Sequence, residues 1–329
     1  MGAPYTTARE FVHARSLCRS RACGIEAPMS DLLYKGRLEG YDIAFAYTVT
    51  TGTVAEAVRR HDCDPVTAHL LGRALTGAVL SASTLGDGER LNVRWAYDGV
   101  LRTLVVDAGP DGATRGFITP SQIEDAADAE ALYGGAGEVK VIRSRRGQII
   151  SSGTVRADLQ DVVQDLVYFQ CISDQVETGA LVLISLRPDP AQPIRVCRGL
   201  SLHALPGTTM ERFDRLRRRL EDGAVRELMS REAETDSLLE NVLHRLAEGE
   251  AEPLRIEYHE APVPVFRCTC SRQKMGAVLR ALPIPERMDM VQKKEDVAIN
   301  CRFCGQRYVL TVDDCIRAWN TKPGQDPIE

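Results

Sequence analysis

The chain has 329 residues, a formal charge of -5, 44% hydrophobic residues and 26% charged residues. That length accommodates two domains, and the composition is that of an ordinary globular protein. The acidic balance speaks against a surface built to coat nucleic acid, and there is no run of about 18 apolar residues to cross a membrane. Residues 1–30 read as an extension, with Arg9, Arg15, Arg19 and Arg21, few acids and no period. A transit segment has such a composition, and so does a plain unstructured tail. From Tyr41 the pattern changes. Ile43, Phe45, Tyr47 and Val49 alternate as a strand does, and Thr51-Gly52-Thr53 opens a helix through Arg60. Asp64-Pro65 starts a second helix, with Asp64 as N-cap and Gly72 and Gly77 allowing close packing. Leu91, Val93, Trp95 and Tyr97 form the clearest strand, followed by turns at Asp98-Gly99 and Asp111-Gly112 and strands at 101–106 and 115–118. A further pair of strands surrounds Arg146-Gly147, and 158–169 reads as an amphipathic helix carrying Leu159, Val162, Val163, Leu166 and Phe169. Strands 180–187 and 194–204 close the region. The fold class is α+β: an antiparallel sheet and helices over 31–207.

Residues 208–260 differ in character. From Glu211 to Glu260 there are nine Arg and fourteen Asp or Glu. Phe213, Leu216, Leu220, Leu238, Leu239, Val242, Leu243 and Leu246 recur at helical spacing, so this is a charged helical linker with a narrow apolar stripe. Short helices are marginal alone, and these are expected to lean on the C-terminal domain for support.

Residues 261–329 form a small domain with four clustered cysteines. Cys268 and Cys270 make a C-x-C pair, and Cys301 and Cys304 a C-x-x-C knuckle with Gly305 behind it. Two close pairs of thiols joined by a loop are what a tetrahedral zinc site needs. The C-x-C spacing also permits a local disulfide. Arg267, Arg272, Lys274 and Arg302 flank the thiols; they either favour the thiolate or balance the charge of the site. No apolar leader core follows Met1, so paired thiols point to a reducing, cytoplasmic compartment. Cys315 reads as a small apolar residue on the last helix, and Cys63, Cys171 and Cys197 as buried. A core this small contributes about 3–5 kcal/mol, whereas a structural zinc contributes on the order of 10 kcal/mol, so the metal decides whether the domain folds.

The C-x-C, loop and C-x-x-C behind a charged helical segment resemble the redox-regulated thirty-three-kilodalton heat-shock chaperone family. The resemblance extends over Gly40-Tyr41, Thr51-Gly52-Thr53, Leu71-Gly72-Arg73, Asp98-Gly99, Val105-Val106-Asp107-Ala108, Arg115-Gly116-Phe117, Ser173-Asp174-Gln175 and Leu205-Pro206-Gly207. The chain departs from it at Asp174, Arg198 and His203, where Glu, a second Gly and Gln are expected. The resemblance implies an ATP-independent holdase with one Zn2+ per reduced chain, held by Cys268, Cys270, Cys301 and Cys304. It implies disulfides within each pair on oxidation, zinc release, dimerisation, and capture of unfolding client proteins. The stripe around Leu216, Leu220, Leu239 and Leu243 is the candidate client surface, and also reads as plain helix packing.

The alternative is a zinc-ribbon interaction or nucleic-acid-binding regulatory protein, whose basic cluster would be Arg212, Arg215, Arg217, Arg218 and Arg219. Nearby acids and 5% aromatics weigh against base stacking. A hydrolytic zinc enzyme keeps a coordination position open, which four thiolates would fill. No phosphate-binding glycine loop with Lys-Ser/Thr is present, so no ATP-driven cycle and no catalytic residue is expected.

Overall fold

The computed structural model describes residues 30–320, apart from 124–127, 190, 233–235 and 295. Residues 1–29 of the expected extension, with Cys18 and Cys23, lie outside the described residues. The described chain opens with β1 (Leu32–Glu39), β2 (Ile43–Val49), α1 (Thr51–His61) and α2 (Pro65–Ala82). A meander of β3 (Glu89–Tyr97), β4 (Thr103–Ala108) and β5 (Ala113–Thr119) leads through a short helix, α3 (Ala129–Tyr133), to the hairpin β6 (Gly137–Arg145) and β7 (Gln148–Arg156). Then come α4 (Val162–Ile172), β8 (Thr178–Leu186) and β9 (Ile194–Ala204). Three helices follow, α5 (Met210–Arg219), α6 (Gly223–Ser230) and α7 (Asp236–Leu246), and two strands, β10 (Arg255–Glu260) and β11 (Val265–Phe266). The C-terminal module holds α8 (Arg272–Val278), a 3-10 turn at Leu279–Ala281, α9 (Ile284–Lys293), the hairpin β12 (Val297–Asn300) and β13 (Arg307–Leu310), and α10 (Val312–Asn320).

Two larger sheets result. The first has the order β10-β1-β2-β9-β8 and is antiparallel throughout; the second runs β11-β5-β4-β3-β6-β7, with only β11 parallel to its neighbour. Helix α2 lies between them. Asp64 caps it as expected, accepting from the Thr67 amide at 2.7 Å. Fourteen of its eighteen residues are buried, as suits a helix apolar on all sides. One core joins Ala46, Val182 and Cys197 of the first sheet to Val93, Trp95, Leu104 and Val106 of the second through Leu71 and Leu75. Gly72 is required there, since a Cβ would come within 2.5 Å of Ile184 and 2.8 Å of Val54. At Gly77 the nearest atoms would be 3.8 Å away, so close packing does not demand that glycine.

The linker helices cover the opposite face of the first sheet. Phe213, Leu216, Leu220, Leu239, Val242, Leu243 and Leu246 pack on Ile43, Phe45, Tyr47, Leu181, Leu200 and Leu202. The support expected from the C-terminal module is therefore supplied by the sheet. Residues 255–260, inside the expected helical linker, form β10 instead: Ile256 and Tyr258 alternate inward and the strand pairs with β1.

Strand β1 precedes Tyr41, where the strand pattern first becomes legible, and lies inside the expected 31–207 domain. Its alternation is broken at Gly36, where a Cβ would meet the Glu257 carbonyl at 2.2 Å and the Phe45 ring at 2.6 Å. Helix α4 starts at Val162, later than its apolar residues suggest. Asp161 accepts from the amides of Val163 and Gln164 at 2.9 and 3.1 Å, and Leu159 precedes the cap, exposed. Arg198 and Gly199 lie within β9, in the strand expected over 194–204.

Candidate metal centre

The two thiol pairs are positioned by different elements. Strand β11 adds to the edge of β5, and the Arg267 amide donates to the Thr114 carbonyl at 2.9 Å, which delivers Cys268 beside Arg115. After Cys270, Ser271 caps α8 by accepting from the Lys274 amide at 3.2 Å. The second pair sits in the turn between β12 and β13. There the amides of Cys304 and Gly305 donate to the Cys301 carbonyl at 3.3 and 2.8 Å, and the Cys301 amide donates to Gln306 at 2.9 Å. Gly305 takes φ +71, and a Cβ there would meet the Arg60 carbonyl at 2.9 Å, so the turn and its seat both favour glycine.

The four sulfurs lie within 4.8 Å of one another. Cys268 and Cys301 are 3.7 Å apart, and Cys270 and Cys304 3.3 Å. Metal–sulfur bonds of about 2.3 Å in a tetrahedron place sulfurs about 3.8 Å apart, so the donor set fits a tetrahedral ion. Burial opposes ionisation of Cys268. Hydrogen bonds from the Cys270 backbone and the Arg115 guanidinium outweigh it, bringing the thiol down to about 7. Burial pushes Cys301 and Cys304 upward, so without a metal the second pair holds its protons more firmly. Tyr308 Oη donates to Cys270 Sγ at 3.1 Å. These partners orient the sulfurs from outside.

The cation nearest the thiols comes from far upstream. Arg115 Nη1 lies 3.6 Å from Cys268 Sγ, its guanidinium pairs with Asp107 at 2.9 Å, and it covers the Phe303 ring at 4.2 Å. Phe303, between the knuckle cysteines, also meets Phe117 edge to face at 5.4 Å. His61 Nε2 donates to the Phe303 carbonyl at 3.1 Å. Thus α1 and β5 provide a seat for the knuckle. The flanking bases noted from sequence are otherwise engaged: Arg272 pairs with Asp314, Lys274 Nζ donates to the Thr269 carbonyl, Arg302 lies over Phe117, and Arg267 reaches toward Asp111. Distance along the chain hid Arg115, Phe117 and His61. The Arg115-Gly116-Phe117 run was the one signal that could have found the first two.

Cys315 is buried in the module's small core with Leu279 and Leu310, outside the four-sulfur group. Burial pushes Cys63 up to about 12 and Cys197 up to about 11, which keeps both as inert thiols. Leu216, Leu220, Leu239 and Leu243 are buried against the first sheet and lie away from the thiols.

Fold and site together define a two-sheet α+β protein that carries a module of four converging thiols on its second sheet. The model of a family described as Hsp33 protein matches residues 31–311. The chain belongs to the Hsp33 family. It is 29% identical over 296 residues to the 33 kDa chaperonin of Listeria welshimeri, covering 87% of this chain and 97% of that protein. It is 30% identical over 290 residues to the 33 kDa chaperonin of Thermus thermophilus, covering 86% and 84%. The solved 33 kDa chaperonin of Thermotoga maritima superposes with a TM-score of 0.73 at 20% identity, covering 88% of this chain and 98% of that one, and shares the fold. The relatives' shared name makes this chain a member of a chaperone family. The names state neither a metal nor a mode of regulation. No helix among the described residues is long and apolar enough to cross a membrane.

Proposed function

We propose that the protein is a redox-regulated, ATP-independent holdase of the cytoplasm. One Zn2+ is held by Cys268, Cys270, Cys301 and Cys304 while the chain is reduced. The observation that carries the reading is the convergence of these four sulfurs on a module with a small core, in which Leu279, Leu310 and Cys315 are buried and Met275, Leu282, Met290, Val297, Ile299 and Trp319 are half-buried around them. The proposed division is a core domain over 31–207, a linker over 208–260 and a redox-switch domain over 261–329.

Peroxide is the oxidant in the proposed step. Cys268 and Cys270, held as thiolates by the ion, lose two electrons in forming one S–S bond, as one peroxide takes up those electrons with two protons from solvent and becomes two waters; Cys301 and Cys304 do the same with a second peroxide. A disulfide sulfur is a poor ligand, so the ion is released and the module loses its main source of stability. The linker then leaves the first sheet under mild heat. The apolar face around Leu216, Leu220, Leu239 and Leu243, with the sheet beneath it, captures unfolding clients, and the oxidised chains pair as homodimers.

Peroxide with mild heat should release the zinc as four thiols disappear, and suppression of client aggregation should appear in step with it. Cys268→Ser should abolish that switching. Retention of zinc, or no suppression after full thiol oxidation, would overturn the reading. A salt-dependent shift of nucleic acid on a gel would favour the regulatory alternative.

A further inference from the structure

Strand β9 presents Arg198, Leu200 and Leu202 on successive same-side positions, and all three are fully buried on the face that receives the linker helices. A hydrophobic residue would continue that stripe. The chain instead places a guanidinium there, opposite Val49 on β2 and Leu183 on β8. Nη1 donates to the Met229 carbonyl at 2.9 Å and to the Arg231 carbonyl, and Nη2 to the Glu232 carbonyl at 3.5 Å. Met229 ends the apolar face of α6, and the other two residues follow its last turn.

The last carbonyls of a helix have no partner within it, and a cation is favoured at that end. An eight-residue helix is too short to persist alone. Arg198 meets both conditions from the sheet side. It satisfies carbonyls that would otherwise need water, and it fixes the exit of α6 toward α7. Glu232 in the same exit segment pairs with Arg195 and lies 4.0 Å from Arg187, but those side chains are exposed enough for solvent to weaken the pairs. The buried contact is the stronger one.

We propose that Arg198 is a positioning residue of the switch: it clamps the end of α6 to β9 and holds the linker's leucine face closed in the reduced, metal-loaded chain. None of its acceptors named above belongs to the C-terminal module, so loss of the metal leaves the clamp intact. Opening of the linker is a second event that must break it. The inference rests on the switching proposed above only for its biological meaning; its test needs no chaperone activity.

Hydrogen exchange of the full-length, reduced, zinc-loaded chain reads the clamp directly. Arg198→Met keeps most of the volume and removes the donors. It should speed exchange of amides in α6 and α7 by about ten- to a hundred-fold, the factor for losing charge-assisted hydrogen bonds to a buried group. Exchange in α2 and the zinc content should stay unchanged. Arg198→Lys, with a charge but no planar fork, should fall between the two and remains the readable variant if Arg198→Met does not fold. Unchanged α6 protection in a folded variant would overturn the proposal. So would equal acceleration in α2, which would mark Arg198 as a general stability residue. Aggregation assays then separate the two ideas: an open linker without client capture would refute the holdase and leave the clamp standing.

Discussion

His203 shows how one buried side chain sets a pH response. Its ring lies in the first sheet between Thr178 Oγ1 and Ser201 Oγ, each at 3.1 Å. Burial lowers it from 6.5 to about 4. Between those values the unfolded chain binds a proton that the folded chain does not, so folding stability is full above pH 6.5 and falls as the pH drops toward 4. His203→Gln keeps hydrogen-bonding groups for the same partners and removes the titration. The variant should unfold at a urea midpoint near that of wild type at pH 7.5 and gain about 2 kcal/mol on it at pH 5. A constant difference across that range would place the acid sensitivity elsewhere. The thiols teach a related lesson. Their identity was legible in C-x-C and C-x-x-C, because ligand spacing is local. Their electrostatic partner was not, because Arg115 reaches Cys268 only through the pairing of β11 with β5.

At the scale of the element, what could be read from sequence depended on where stability comes from. Helix α2 and strand β3 carry their own signals, a cap with an apolar run in one and strict alternation in the other. The linker helices also showed their stripe, but the stripe does not say which surface it fits. Sequence pointed to the C-terminal module; the structure supplies the first sheet, whose Ile43, Phe45 and Tyr47 were already visible as an apolar alternation. Strand β10 was hidden within a charged run because an edge strand needs few apolar residues. This arrangement makes α7 sensitive to a single truncation. Leu243 is fully buried, and Leu243→Ala should cost about 3 kcal/mol of linker docking. Because helices of this length do not stand alone, the loss should be local. Hydrogen exchange should quicken in α5, α6 and α7 of the reduced chain, with α2 still protected. Uniform acceleration would mean that linker and core unfold as one unit.

For the whole molecule, the four-thiol group and the linker are separated in space and joined through the chain. The module touches the rest through β11 on β5, Phe303 in its seat of Arg115 and Phe117, and His61 and Arg60 on knuckle carbonyls. The Phe303 contacts and the bonds to the knuckle carbonyls depend on the Cys301–Cys304 turn, and the module's own core is small. The linker helices rest on the first sheet, and β10 ties their far end to β1. Stripping zinc from the reduced protein with a chelator should therefore act in two stages. At 25 °C exchange should become fast in α8, α10 and the β12–β13 hairpin, while α5, α6 and α7 stay protected. On heating, the linker should open several degrees below its opening temperature in the zinc-loaded chain, because the anchor beyond β10 is gone. Proteolysis across a temperature series, with zinc content measured in parallel, would follow both stages. A module that stays protected after its zinc is removed would show that packing alone folds it. Linker opening at an unchanged temperature would show that the metal site and the helices are energetically independent, and a redox signal at the thiols would then have no route to the apolar face.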